Sequence, residues 1–130
     1  MTVMMNLEIE KNIHISKITD ALIAVCAEYQ VGDGKITGNF KKSNAYFVFS
    51  LDDGEADIEA EGAVGGWKVG ARAAFHCPIG SLAESWGEIK EYMFALKKFC
   101  KNRFVISFQY EKIYAVREGD EIYFLAEVVS

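Results

Sequence analysis

AYFVFSLDDGEADIEAEGAVGGWKVGARAAFH, residues 45–76, is the stretch on which the fold turns. Ala45, Phe47, Phe49 and Leu51 alternate with their neighbours, and so do Trp67, Val69, Ala71, Ala73 and Phe75. A period of two predicts a half-buried strand in each case. Between them Glu55, Asp57, Glu59 and Glu61 occupy every second position, which places four carboxylates on one face of a third strand, about 7 Å apart. Ala56, Ile58 and Ala60 turn to the opposite face. The turn clusters Lys42-Ser-Asn, Asp52-Asp-Gly and Ala63-Val-Gly-Gly divide the region, and with Lys35–Lys41 they predict an antiparallel meander of strands 35–41, 45–51, 55–62 and 67–76.

Charge and hydropathy choose one register for the last two of these strands. If Gly62 faces Trp67, then Glu61 meets Lys68, Asp57 meets Arg72 and Ile58 meets Ala71, whereas a one-residue slip sets acids against apolar side chains. That register leaves Asp52, Asp53, Glu55 and Glu59 without a cation.

N-terminal to this region, Leu7 and Ile9 alternate with polar residues as an additional N-terminal strand would. From Ser16, read as an N-cap, the period becomes helical through Ile18, Leu22, Cys26 and Tyr29, and Gly32 and Gly34 end the helix. On the C-terminal side, Ser81 and Glu84 have capping-box spacing, and Leu82, Trp86, Ile89, Met93, Leu96 and Cys100 form an apolar stripe. Lys97, Lys98 and Lys101 crowd its last turn, where cations oppose the helix dipole. Strands 103–110, 113–117 and 121–129 follow. The last is apolar on both faces, Ile122, Phe124, Ala126 and Val128 on one and Tyr123, Leu125 and Val129 on the other, so it is either central or in contact with a second chain. The reading is a single α+β domain over residues 1–130. It has a mainly antiparallel sheet of about seven strands with two helices, in the order α-ββββ-α-βββ, and a possible extra strand at the N-terminus.

The 130 residues carry 14 bases, 19 acids and a formal charge of −5. Six of the acids lie within residues 52–61, which hold no base, so the rest of the chain has 13 acids against 14 bases. A pI near 5.0 opposes general affinity for nucleic acid or anionic lipid and favours a basic protein partner. The absence of an apolar run of membrane-spanning length or of a signal-peptide pattern predicts a cytoplasmic protein. Three cysteines without CxxC spacing suit free thiols in a reducing compartment.

No catalytic or metal-binding motif stands out. His76 and Cys77 are adjacent, so on a strand they point to opposite faces and do not converge on one ion. Asp52-Asp-Gly-Glu-Ala-Asp lacks the EF-hand ligand order, and the glycine pairs lack the spacing of a phosphate loop. No cofactor, no metal and no enzymatic activity are expected. Tyr114 and Tyr123 are expected to share one face of the final meander, where tyrosine suits a partly wet interface. The expected partner-binding set is therefore Asp52, Asp53, Glu55, Asp57, Glu59, Tyr114 and Tyr123.

In size, acidic charge and mixed architecture the chain resembles bacterial immunity proteins of contact-dependent and other polymorphic toxin systems. The resemblance extends over the whole chain and rests on no shared motif. It implies a toxin inhibitor acting by stoichiometric protein–protein contact, with Asp57, Glu59 and neighbouring acids occupying the cationic site of a toxin domain such as a basic nuclease. Two other readings are a homodimeric chaperone-like scaffold, and a small-ligand carrier or enzyme with a pocket between helix and sheet.

Overall fold

A computed structural model describes residues 1–63 and 65–127. The strands are β1 (Thr2–Glu10), β2 (Glu28–Gly32), β3 (Lys35–Asn39), β4 (Tyr46–Asp57), β5 (Lys68–Pro78), β6 (Phe104–Phe108), β7 (Lys112–Glu118) and β8 (Glu121–Phe124). They form one antiparallel sheet in the order β2-β3-β4-β5-β1-β6-β7-β8. Helices α1 (Ile15–Ala24) and α2 (Leu82–Phe99) pack against each other. The domain is thus α+β with the element order β-α-ββββ-α-βββ. The possible N-terminal strand exists, and it lies in the middle of the sheet.

Alternation along the strands builds the main core on the helix-covered face. Met5, Leu7 and Ile9 of β1, Phe47 and Phe49 of β4, and Ala71, Ala73 and Phe75 of β5 all point there. Ile18 and Leu22 of α1 and Trp86, Ile89, Met93 and Leu96 of α2 close over them, as the helical stripes predict. The space between helices and sheet is filled by rings: Phe49 lies 5.5 Å from Tyr92 and 5.8 Å from Phe75. Tyr92, fully buried, donates its hydroxyl to Ile18 O at 3.2 Å and so ties the helices together.

Both ends of α1 and the capping contact of α2 depart from the sequence reading. Helix α1 stops at Ala24, because Cys26 takes a left-handed φ of 60° and the N–H of Ala27 reaches back to Leu22 O, a Schellman closure with cysteine where glycine is usual. Residues 28–32 are therefore a strand. Asp33 and Gly34, at φ 52° and 74°, make the primed two-residue turn that joins it to β3. The cap of α1 is His14, whose Nδ1 accepts from Ser16 N, rather than Ser16 itself. At α2 the N-cap is Ser81, but its hydroxyl donates to Ser43 O instead of closing a capping box.

The largest departure is in the acidic region. Strands 45–51 and 55–62 are one strand, β4, which ends at Asp57, so Glu59 and Glu61 belong to the segment that follows it. That segment crosses the second face of the sheet, where Ile58 packs with Trp67, Val69, Val105, Ile113 and Val116 in a small separate core. The final strand is also shorter than expected. It ends at Phe124, and the expected positions Val128 and Val129 lie outside the described residues.

Candidate functional site

Between the pairs Leu51↔Ala71 and Ala56↔Val69, four residues of β4, Asp52–Glu55, stand opposite the single residue Gly70. An Asp-Asp-Gly-Glu run has little reason to stay in a ladder, since aspartate and glycine are poor strand formers and adjacent carboxylates repel. It bulges outward instead. Gly54 turns at φ 83°, and Asp53 Oδ1 accepts from Glu55 N at 3.0 Å to hold the loop. Gly70 permits the arrangement: a Cβ there would lie 2.6 Å from Lys11 Cα, so only glycine lets the chain leaving β1 pass. Asp52, Asp53, Gly54, Glu55 and the exposed Leu51 thus line an open cleft of about 380 Å³ together with Lys11, whose side chain runs beside Gly54.

The predicted register is replaced by another. Asp57 faces Lys68 and forms an ion pair with it, and Arg72 faces Ser50 rather than Asp57. The hydrogen bond from Lys68 holds the Asp57 carboxyl below its usual range, and the same contact, with Glu55 adding attraction at longer reach, raises Lys68. Glu61 makes no pair with Lys68. Its N–H donates to Tyr110 O at 2.7 Å instead. Ile58 likewise does not pair with Ala71, which is opposite Leu51.

Arg72 is the hub that the sequence reading missed in this role. Its guanidinium pairs with Asp52, lies 3.9 Å from Glu59, donates to Asp57 O at 2.9 Å, and reaches Glu8 Oε2 at 3.4 Å. Glu8 is fully buried at the centre of the sheet, where its carboxylate also accepts from Glu59 N at 2.8 Å and Ala60 N at 3.0 Å. A buried carboxylate needs such partners. The only sequence signal is an acid on the polar side of a strand that turns out to be central. Tyr110 also leans over this face, and burial, followed by the charge of Glu8, pushes its phenol up.

Of the acids expected to be free, Asp52 is taken by Arg72 and Glu59 lies at the limit of ion-pair distance from it. Asp53, Glu55 and Glu61 have no ion pair among the described residues. The tyrosines are elsewhere and apart from each other. Tyr114 packs edge-on against Trp86 and stacks on Phe108, on the helix face. Tyr123, 52% exposed, sits opposite Val116 on the second face. They share a face in the sequence reading only because a bulge beside Ile113 and Tyr114 is invisible there. Strands β5, β1, β6 and β7 separate β4 from β8, about 24 Å at the usual strand spacing, so Asp52, Asp53, Glu55 and Asp57 of β4 do not form one site with Tyr123.

His76 lies on the second face beside the Tyr46 ring at 5.9 Å. Cys77 points into the core, where burial pushes its thiol up to about 11, the wrong direction for a nucleophile. Among the described residues no three His, Cys, Asp or Glu side chains are grouped to hold a metal ion. No helix of the described residues is long and apolar enough to cross a membrane. No protein-family model matches the chain, and neither a curated protein nor a solved structure is significantly similar to it.

Proposed function

We propose that the chain is a non-catalytic binding protein, an immunity protein that neutralises a cognate toxin domain by direct stoichiometric contact with a basic surface. The observation that carries this reading is the acidic bulge. Asp53 and Glu55 are held clear of the sheet by their own turn, unpaired, over a cleft whose wall includes the exposed apolar Leu51. A lysine or arginine from a partner can lay its aliphatic stem on Leu51 and set its charge between the two carboxylates. Pre-ordered carboxylates cost little to engage, and a one-sign patch speeds encounter with a cationic partner. Asp52, Asp57 and Glu59 serve by engaging Arg72 and Lys68, which leaves Asp53 and Glu55 without an ion pair, rather than by direct contact.

The experiment is a calorimetric titration, at two salt concentrations, with the basic partner recovered by affinity pull-down on the full chain. Reversing both free acids, Asp53→Lys with Glu55→Lys, is expected to weaken binding at least tenfold and flatten its salt dependence. Fold stability is expected to change by no more than about 0.5 kcal/mol, because both side chains are exposed. Equal affinity and equal salt slope in the double variant would remove the acidic bulge from the interface.

A further inference from the structure

The sheet has two open edges, β2 and β8, and they differ. β2 exposes Glu28 and Gln30 on one face and a single apolar side chain, Val31, on the other. β8 reads Glu-Ile-Tyr-Phe, followed by Leu125, with no lysine or proline to blunt it. Its flanks are apolar and wet on both sides. Tyr123 and Leu125 are 52% and 63% exposed on the second face, and Phe124 and its neighbour Phe94 of α2 are 37% and 45% exposed on the helix face.

Main-chain direction along β8 follows from its ladder. Glu118 and Glu121 close a two-residue hairpin, and Leu125 N donates to Tyr114 O at 2.8 Å, so Glu121, Tyr123 and Leu125 turn their peptide groups toward β7. Ile122 and Phe124 turn theirs outward, with no strand of the described residues beyond them.

We propose that this edge pairs antiparallel with β8 of a second copy of the chain, about a two-fold axis through Tyr123, to give a continuous sixteen-stranded sheet. Outward peptide groups must meet outward peptide groups, so the two-fold axis passes through a residue position, and the three central choices are Ile122, Tyr123 and Phe124. Centring on Phe124 sets Glu121 against Glu127, two acids. Centring on Ile122 sets Asp120 against Phe124 and leaves the exposed Leu125 opposite Gly119 of the hairpin turn, beyond the paired strand. Centring on Tyr123 sets Ile122 against Phe124, Tyr123 against Tyr123 and Glu121 against Leu125, with no charge opposed to a like charge.

In that register the two Asp120 side chains are about 20 Å apart along the strands, beyond the screening length in physiological salt. The four exposed apolar side chains at this edge, Phe94, Tyr123, Phe124 and Leu125, offer about 400 Å² per copy, so their complete burial together with the paired main chains would bring the contact to the ~1,000 Å² of a specific interface. This proposal is independent of the toxin-binding reading, since β4 and β8 lie far apart in the sheet.

Sedimentation equilibrium on the purified full chain, from low to high micromolar, is expected to show a dimer. Tyr123→Lys sets two ammonium groups against each other on the axis and is expected to weaken that dimer at least tenfold, with an unchanged circular dichroism spectrum. A second variant does not depend on disrupting anything. Tyr123 pairs with itself at a non-hydrogen-bonded position, where Cα atoms lie about 4.5 Å apart, within the span of a disulfide. In a Cys26→Ser background, which removes the exposed native thiol, Tyr123→Cys is expected to cross-link to dimer under mild oxidation while Gln30→Cys on β2 does not. A monomer at every concentration, a dimer indifferent to Tyr123→Lys, or a cross-link no faster at position 123 than at position 30 each overturns the proposal. A monomer that still binds the basic partner breaks this inference alone.

Discussion

The two faces of the sheet are buried by different chemistry. The helix face is closed by side chains of regular elements meeting side chains of regular elements, almost all apolar, with Phe75 and Tyr92 at its centre. The second face is closed by an irregular segment, residues 58–63 and 65–67, and the group that fastens it is the buried carboxylate of Glu8. One side relies on non-directional burial. The other relies on a few directed bonds whose loss leaves polar groups stranded.

Truncation sets the two faces directly against each other. Phe75→Ala opens a cavity among four aromatic rings and is expected to cost about 4 kcal/mol, unfolding the whole domain together in urea. Glu8→Ala is expected to cost about 3 kcal/mol, since it orphans Glu59 N and Ala60 N and leaves Arg72 with fewer acids. Its signature differs: Trp67 fluorescence shifts to the red and exchange of the Glu59 and Ala60 amides accelerates before global unfolding. Uniform loss of protection in both variants would erase the distinction between the faces.

A smaller effect tests the junction between β1 and the acidic bulge. Gly70→Ala pushes a methyl group against the Lys11 backbone and is expected to cost about 2 kcal/mol by chemical denaturation. It should also weaken any binding that depends on Asp53 and Glu55, because the cleft wall moves.

The smallest effect is electrostatic. Glu10 lies on the polar side of β1 and accepts from Arg103 Nη2 at 2.7 Å, which holds its carboxyl below the ordinary value of 4.5 despite partial burial. A depressed folded value means the contribution is complete above 4.5 and is lost as pH falls through the lower folded value. Acid unfolding of Glu10→Gln, compared with the parent chain, is therefore expected to show a shallower loss of stability below pH 4.5 and an equal slope at neutral pH. The effect stays well under that of Glu8→Ala, because the pair is partly solvated.

The residues that were legible in the chain are those whose environment is set by regular elements. Phe47, Phe49, Ala71, Ala73 and Phe75 declare a core face by period two, and Trp86, Ile89, Met93 and Leu96 declare a helix stripe by period 3.6. Strand β2 was hidden because a cysteine occupies the left-handed position that ends α1, so the glycine and aspartate of the following hairpin looked like the stop of a longer helix. The acidic strand failed for a related reason. Its carboxylates do alternate, but alternation says nothing about whether a ladder continues, and four residues bulge out against Gly70.

Composition and periodicity alone were therefore enough for the class of fold, the helix-facing core and the location of the negative charge within ten residues. They could not say which acids are free. That depends on Arg72 being gathered by Asp52 and Glu8, groups 20 and 64 positions away in the chain, and on Lys68 being claimed by Asp57. Charge position is written locally, whereas charge neutralisation depends on which strands become neighbours, and that is decided when β1 inserts between β5 and β6.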